Sequence, residues 1–172
     1  MGQNSLRLNY RIAQIDDLAR IVEIYNETIP SHQVTADTER VSVESREPWF
    51  HAHTPSKHPL WVTETDGRIV AWLSFSSFYG RPAYDRTAEL SIYVTASDRR
   101  RGLGDYLLME ALAAAPALNL KNLLGFIFGH NEPSLALFER HGFSRWGILP
   151  SVAELGGVAR DLVIVGRRID GQ

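Results

Sequence analysis

The sequence contains no cysteine. Without thiols the protein forms no disulfide bond and offers no thiolate to a metal ion. The same absence excludes a cysteine-bound intermediate in any acyl transfer, which would have to be direct or use serine. Three histidines cluster locally, but His51 and His53 do not share a helix face, and no carboxylate spacing completes a site with His58. We therefore expect no metal centre.

Long apolar runs and a strong charge of one sign are also missing. No stretch of about 18 consecutive apolar residues occurs, and residues 1–20 lack an apolar segment of signal-peptide length. We expect neither a membrane span nor a targeting segment, which leaves the cytoplasm as the default location. The formal net charge of −2 offers no basic footprint for nucleic acid.

What is present is an ordinary globular composition, with 44% hydrophobic and 22% charged residues in 172. A chain of this length removes about 70% of its unfolded surface from water when it folds. Residues 54–59, which include two prolines, form a break between predicted helices and strands, but no repeat or linker divides the sequence. We expect one domain over residues 1–172.

Hydrophobic periodicity predicts alternating strands and helices, with an Asp-Gly hairpin turn at residues 66–67. The order is strand, two helices, three strands, helix, strand, helix and two strands. This order predicts an α/β (α+β) fold with a mixed sheet of about seven strands and helices on both faces. The predicted strands are 6–12, 61–64, 68–75, 87–94, 123–128, 145–152 and 158–168, and the predicted helices are 16–25, 43–53, 102–115 and 133–141.

A basic, glycine-containing turn, RRRGLG over residues 99–104, follows a predicted strand and enters a helix. The first amides of a helix lack intrahelical acceptors, so a phosphate placed there accepts their hydrogen bonds. A dinucleotide fingerprint would need a third glycine where Leu107 stands. The sequence pattern therefore predicts an anion site of another type, or a solvated arginine cluster ahead of an ordinary helix.

The strand over residues 87–94 places Glu89 on the same face as Ser91 and Tyr93, because side chains alternate along a strand. A carboxylate on a central strand is costly to bury without a partner. The pattern leaves two interpretations: an ion pair with Arg81 or Arg86, or a functional carboxylate beside two hydroxyls.

Two segments resemble the coenzyme-binding motifs of the GNAT N-acetyltransferase superfamily. Arg99-x-x-Gly102-x-Gly104 resembles its acetyl-CoA pyrophosphate loop, and the stretch from Asn131 to a Gly-Phe pair ending at Phe143 resembles its second coenzyme segment. Finer features, among them the Leu-Pro pair ending at Pro150, resemble phosphinothricin acetyltransferase and related amino-acid N-acyltransferases.

The resemblance implies the GNAT fold, in which two central parallel strands splay apart beside the pantetheine arm. Here the implied segments are 91–94 and 126–128. It also implies acetyl-CoA as cosubstrate and a homodimer. Asn131 could cap a helix as well as bond the coenzyme. The coenzyme-binding residues it implies are Ile92, Tyr93, Val94, Arg99, Arg100, Arg101, Gly102, Leu103, Gly104, Asn131 and Ser134.

The implied chemistry is attack of an amine on a thioester. A lysine-like amine is only about 0.04% neutral at pH 7, equivalent to ~4.6 kcal/mol, so a base must take its proton. The resemblance assigns this role to Glu89. Many relatives place a tyrosine acid where this chain has Phe138, which leaves Tyr93, His130 or water for the departing thiolate.

The loop before the strand of Glu89 combines aromatic residues with an arginine, a composition suited to a small zwitterion. From it we predict three substrate-binding residues: Phe78, Arg81 and Tyr84. The sequence thus predicts an acetyl-CoA-dependent N-acetyltransferase acting on a small amino-acid-like amine. A protein or peptide N-acetyltransferase and a non-catalytic acyl-CoA sensor stay open, as do the amine, the acyl chain and the oligomeric state.

Overall fold

A computed structural model describes residues 8–169. Its centre is a seven-stranded sheet in the order β1-β2-β3-β4-β5-β7-β6. The strands are β1 (Asn9–Ile12), β2 (Leu60–Thr65), β3 (Arg68–Ser77), β4 (Thr87–Val94), β5 (Asn122–Phe128), β6 (Ser144–Leu155) and β7 (Val158–Arg168). The described α-helices are α1 (Leu18–Asn26), α2 (Val43–His51), α3 (Leu103–Ala114) and α4 (Glu132–Arg140).

The sheet separates two apolar layers because successive strand residues face opposite sides. Residues of α3 and α4, such as Leu107 and Phe138, pack with the strands in one core cluster. Ile21 and Ile24 of α1 pack with Trp72 of β3 in the other. The predicted mixed sheet with helices on both faces is therefore confirmed.

The hairpin between β2 and β3 forms as predicted. Asp66 and Gly67 both have positive φ, +52° and +72°. Such a turn requires φ above zero at both central residues, which Asp and Gly tolerate better than most residues.

The central strands β4 and β5 are parallel but pair over a short length only. Residues 87–89 of β4 pair with 122–124 of β5. Beyond that point β4 continues its pairing with β3 as far as Val94, while β5 pairs with β7 as far as Phe128. The two strands thus diverge over the segments that the sequence resemblance implied, and each leaves one backbone edge facing the gap.

Several predicted boundaries differ from the structure for local reasons. The first strand was predicted from residue 6, and residues 6 and 7 lie outside the described residues. A short 3-10 turn over Ile15–Asp17 precedes α1, where Asp17 accepts hydrogen bonds from the Gln14 amide and from Arg11. The last hairpin is longer than predicted, since β6 continues three residues beyond its predicted end at residue 152, after a register shift between Leu149 and Ala153 around Pro150. The edge position of β6 accommodates a proline, which cannot donate a backbone hydrogen bond.

Candidate active site

The gap between β4 and β5 opens into a groove of about 570 Å³ that reaches the start of α3 and the side of α4. The sequence predicted eleven coenzyme-binding residues, and the structure brings ten of them to this groove. The segment after α1 also contributes Thr28, Gln33 and Val34, which no sequence motif indicated. The ten are Ile92, Tyr93, Val94, Arg99, Arg100, Gly102, Leu103, Gly104, Asn131 and Ser134.

The start of α3 supplies unpaired backbone donors to the groove. Gly102 precedes the helix with φ +80° and ψ 5°, and no side chain caps the helix among the described residues. The first intrahelical bond runs from Tyr106 N to Gly102 O, so the amides before Tyr106 have no acceptor in the helix. Uncapped amides carry the positive end of the helix dipole and suit a phosphate.

Gly104 has a packing role as well. A Cβ at this position would lie 3.0 Å from a methyl carbon of Leu137, so the glycine allows α3 and α4 to approach closely. The same short turn therefore exposes the first amides of α3 and lets α4 pack closely enough to form a wall of the groove.

Arg101, the eleventh predicted residue, lies outside the groove lining. Its guanidinium bonds the buried carboxylate of Asp98, which also accepts hydrogen bonds from Ser97 Oγ at 2.8 Å and Arg68 Nη2 at 2.9 Å. The hydrogen bond from Ser97, then that from Arg101, and the nearby charge of Arg68 lower the pKa of Asp98. Asp98 anchors the basic turn to the start of β3.

Asn131 forms the N-cap of α4, as predicted. Its Oδ1 accepts a hydrogen bond from Ser134 N at 3.3 Å, and the residue is buried at the groove. Since it fixes the first turn of α4, Asn131 also orients the helix that carries Ser134 and Phe138 along the groove.

Glu89 lies in a second, smaller pocket of about 220 Å³ between the sheet and the helices α1 and α2. Ser91 and Tyr93 line both this pocket and the groove, so the two cavities meet along β4. The predicted grouping of Glu89 with these two hydroxyls on one strand face is what the structure shows. The other lining residues are Ile21, Val22, Tyr25, Val41, Arg46, Trp49, Trp72, Ser74 and Ser76.

The carboxylate of Glu89 makes no hydrogen bond or ion pair with the described residues. Arg86 donates instead to the backbone and side-chain oxygens of Asn119, and Arg81 is exposed. The alternative ion pair considered from the sequence is therefore not formed. Burial raises the pKa of Glu89, because the charged form loses hydration without gaining a partner.

Aromatic rings form the floor of this pocket. Trp72 stacks on Tyr93 with centroids 4.4 Å apart and donates from Nε1 to Ile21 O at 3.1 Å. Trp49 of α2 meets Trp72 edge-on at 5.6 Å. Burial raises the pKa of Tyr93, so its hydroxyl stays protonated and can donate a hydrogen bond at neutral pH.

The pocket also contains residues that the sequence analysis missed. Tyr25 lies on the pocket-facing side of the amphipathic helix α1, and its hydroxyl forms hydrogen bonds with Thr35 and Asp37. Arg46 projects from α2 and pairs with Asp37 at 2.6 Å. The helical spacing of Tyr25 could have marked it as inward-facing, but the polar sequence of α2 carries no apolar stripe that would orient Arg46.

The three predicted substrate residues lie elsewhere. Phe78 and Tyr84 contact each other edge-on at 5.4 Å in the segment between β3 and β4. Neither they nor Arg81 lines the Glu89 pocket or the groove. The ring centroid of Phe78 lies 6.4 Å from that of Phe126, which lines the groove.

The position where the sequence resemblance implied a tyrosine acid is apolar in this chain. Phe138 lines the groove, and its ring fills the space that a Cβ of Gly125 would occupy, 2.9 Å away. His130, a candidate replacement acid, is not in the groove lining, and its Nε2 donates to His32 O at 2.7 Å. Among the candidates from the sequence, Tyr93 and water are the ones left at the groove.

Comparisons with known proteins agree on one family. Residues 19–143 match the acetyltransferase (GNAT) family. The Bacillus subtilis (strain 168) protein named "Putative phosphinothricin acetyltransferase YwnH" is 53% identical over 163 residues, covering 94% of this chain and 99% of that protein. A Pseudomonas paraeruginosa protein named "L-methionine sulfoximine/L-methionine sulfone acetyltransferase" is 28% identical, covering 93% of this chain and 94% of that protein.

A solved structure adds a bound coenzyme to this set. The crystal structure of a GNAT superfamily phosphinothricin acetyltransferase from Sinorhizobium meliloti in complex with AcCoA has a TM-score of 0.88 and 27% identity to this chain. The match covers 94% of this chain and 88% of that one. The likeness therefore extends over nearly the whole length of both proteins.

The unpaired Glu89 should reduce the stability of the folded protein at neutral pH. Because its folded-state pKa is raised, the charged form is disfavoured in the fold; below the unfolded pKa of about 4.3 both states are protonated and the cost disappears. We expect Glu89→Gln to unfold at a higher temperature than the wild type at pH 8, with the difference vanishing near pH 4. Differential scanning calorimetry across this pH range measures it.

The matched control is Glu154→Gln on the exposed β6–β7 hairpin, for which we expect an unchanged unfolding temperature. A lower unfolding temperature for Glu89→Gln at pH 8 would show that the carboxylate has a stabilising partner.

Proposed function

The chain belongs to the acetyltransferase (GNAT) family, and from this premise we propose that it transfers an acetyl group from acetyl-CoA to the primary amine of a small amino-acid-like substrate. One observation carries the proposal. The groove between the splayed strands and the Glu89 pocket meet at Ser91 and Tyr93, so a donor and an acceptor bound in the two cavities would approach each other along β4.

The groove fits acetyl-CoA by the chemistry of its donors. The uncapped amides at Leu103 and Gly104, with the side chains of Arg99 and Arg100, suit the diphosphate. The free edge of β4 near Val94 suits the amide-bearing pantetheine arm, which can add hydrogen bonds as an extra strand would. When bound there, the coenzyme supplies the acetyl thioester.

Glu89 acts as the general base in this proposal. An amine attacks only in its neutral form, and the carboxylate of Glu89 accepts the proton directly or through a water. The bond from the amine nitrogen to the acetyl carbon forms as the carbon–sulfur bond breaks. Backbone amides near Val94 polarise the thioester carbonyl, which stabilises the negative charge that develops on its oxygen.

The coenzyme thiolate leaves without help from residue 138, because Phe138 has no acidic hydrogen. Tyr93 lines both cavities and stays protonated, so its hydroxyl can donate a hydrogen bond to the departing thiolate, which then takes its proton from water. The predicted substrate contacts of Phe78, Arg81 and Tyr84 stay a prediction.

Two other functions are less well supported by the geometry. A peptide acetyltransferase needs an open groove for the chain on either side of the amine, whereas the cavity around Glu89 is small and has Trp49 and Trp72 among its walls. A coenzyme sensor would gain nothing from the partly buried, unpartnered carboxylate of Glu89, which costs stability when it is charged.

We further propose that residues 1–172 work as one N-acetyltransferase domain, in the cytoplasm, and as a homodimer. The edge strand β6 and its partner β7 expose five large apolar side chains, and exposed apolar surface is common at protein interfaces. The five side chains are Trp146, Ile148, Leu149, Val152 and Val158.

None of the described helices is long and apolar enough to cross a membrane.

The central test is Glu89→Gln assayed with acetyl-CoA and free methionine sulfone, methionine sulfoximine and phosphinothricin. General base catalysis is worth about 10²- to 10⁴-fold, so we expect kcat to fall by about 10²-fold or more. Burial raises the pKa of Glu89, so the acid limb of the wild-type pH–activity profile should have an apparent pKa above the ordinary value of a glutamate. This limb should disappear in the variant.

Calorimetric titration with coenzyme A serves as the control, because Glu89→Gln should bind it as the wild type does. Undiminished turnover with intact binding would exclude Glu89 as the base. Coenzyme binding by the wild type without turnover of any amine would favour the sensor.

Asp98→Ala tests the basic turn of the groove, whose lining also includes Asp98 itself. Loss of the carboxylate frees Arg101 and Arg68 and loosens the turn, so we expect the Kd for coenzyme A to rise about tenfold. Titration calorimetry measures it, and Asp16→Ala, on an exposed aspartate remote from the turn, is the matched control. Unchanged affinity in Asp98→Ala would show that the turn keeps its shape without this anchor.

The proposed dimer is tested with Ile148→Asp and Val152→Asp together. Two charges in the exposed patch should convert a wild-type dimer to a monomer, as measured by light scattering coupled to size-exclusion chromatography. Glu154→Gln on the same hairpin should leave the dimer intact. A monomeric wild type, or a double variant that stays dimeric, would contradict this assignment.

A further inference from the structure

The Glu89 pocket holds one positive and one negative side chain. Of the described residues that line it, Arg46 alone is a cation and Glu89 alone is a carboxylate. The remaining lining groups are aliphatic side chains, aromatic rings and hydroxyls. An amino acid in solution carries the complementary pair, an amine and a carboxylate on the same carbon.

Arg46 is held in place by its neighbours. Its Nη2 donates to Asp37 Oδ2 at 2.6 Å, and its guanidinium lies over the ring of Tyr25, 4.8 Å from the centroid. Asp37 itself does not line the pocket, and its carboxylate also accepts a hydrogen bond from the Tyr25 hydroxyl. The ion pair with Asp37 and the contact with the ring of Tyr25 therefore hold the guanidinium of Arg46 at the wall of the pocket.

The guanidinium keeps donors available. Among the described residues its one hydrogen bond is the bond to Asp37, whereas a guanidinium has five N–H donors in a planar fork. The side chain is 28% exposed, so it is neither sealed off nor freely hydrated. Such a fork matches the two oxygens of a carboxylate.

The helix that carries Arg46 is fixed relative to β4. The buried side chain of Asn26 accepts from Val41 N at 3.0 Å and donates to Val41 O at 2.9 Å, which pins the chain just before α2. Ser42 then caps α2 by accepting from Ser45 N. Trp49, one turn beyond Arg46, packs on Trp72 and so joins α2 to the sheet face of Glu89.

We propose that Arg46 binds the carboxylate of the substrate while Glu89 receives the amine, so that the pocket selects amines that also carry a carboxylate. This assignment rests on the proposed function. It makes Arg46 a specificity-determining residue: it contributes to binding the amino acid and takes no part in proton transfer. Arg81, predicted from the sequence for the same task, is exposed and lies outside the pocket lining.

The experiment compares two acceptors that differ only in the carboxylate: methionine sulfone and its decarboxylated analogue, 3-(methylsulfonyl)propan-1-amine. For each variant the measured quantity is the ratio of kcat/KM for the two acceptors. Any loss of correctly folded protein cancels in this ratio. The variants are Arg46→Gln, Arg46→Lys and Arg81→Gln, and Arg40→Gln is the control on an exposed arginine of the neighbouring segment.

We expect the wild type to prefer methionine sulfone and Arg46→Gln to lower the ratio by about 10- to 100-fold, the value of charge-assisted hydrogen bonds. The loss should appear in KM for methionine sulfone, while kcat/KM for the decarboxylated amine and KM for acetyl-CoA stay within about twofold. Arg46→Lys keeps the positive charge but lacks the planar fork of N–H donors, so its ratio should lie between those of the wild type and Arg46→Gln. Arg40→Gln should match the wild type.

An unchanged ratio in both Arg46 variants overturns the inference and leaves the acetyltransferase function standing. A ratio that falls in Arg81→Gln and not in the Arg46 variants assigns the carboxylate to Arg81 instead. A wild type that acetylates both acceptors equally also overturns it. If the wild type binds coenzyme A but acetylates neither acceptor, the proposed function fails, and the inference fails with it.

Discussion

The divergence of β4 and β5 is the constraint on which the rest of the structure depends. Parallel neighbours normally continue their hydrogen bonds to the strand ends, but here the pairing stops after residue 89 on β4 and residue 124 on β5. Each strand stays in the sheet through its other neighbour, so the fold tolerates the gap. Buried backbone groups without partners are costly in a protein interior. A ligand with amide groups of its own satisfies them, which ties the fold to coenzyme binding.

The pocket beside the gap combines groups that a stable core would avoid. The partly buried carboxylate of Glu89 loses hydration that no described residue replaces, and the guanidinium of Arg46 has spare donors beyond its bond to Asp37. The stacked rings of Trp72 and Tyr93 keep the pocket open by forming a rigid floor. An incoming zwitterion would supply a partner for the carboxylate of Glu89 and a second partner for the guanidinium of Arg46, which already pairs with Asp37.

Most of the fold was predictable from the sequence because its signals are local. The bounds of β4 were predicted to the residue, and the Asp66-Gly67 pair located a hairpin by its backbone preference. The coenzyme groove was predictable for the same reason, since its turn and its capping Asn131 lie in contiguous motifs. The full lining of the Glu89 pocket was not predictable, because it is assembled from separate elements: Arg46 is on a helix with no apolar stripe, and only the tertiary contacts of α2 show where it lies.

The burial of Asp98 changes how the run of three arginines should be understood. One of them, Arg101, is neutralised within the turn itself, and Arg68 shares the same carboxylate. Arg99 and Arg100 remain at the groove, so a diphosphate placed there would meet both their side chains and the main-chain amides at the helix start. Surface charges are screened as ionic strength rises, whereas hydrogen bonds from fixed amides are screened much less. For a diphosphate bound at this turn, the contribution of the amides should therefore weaken less than that of the arginine side chains as ionic strength rises.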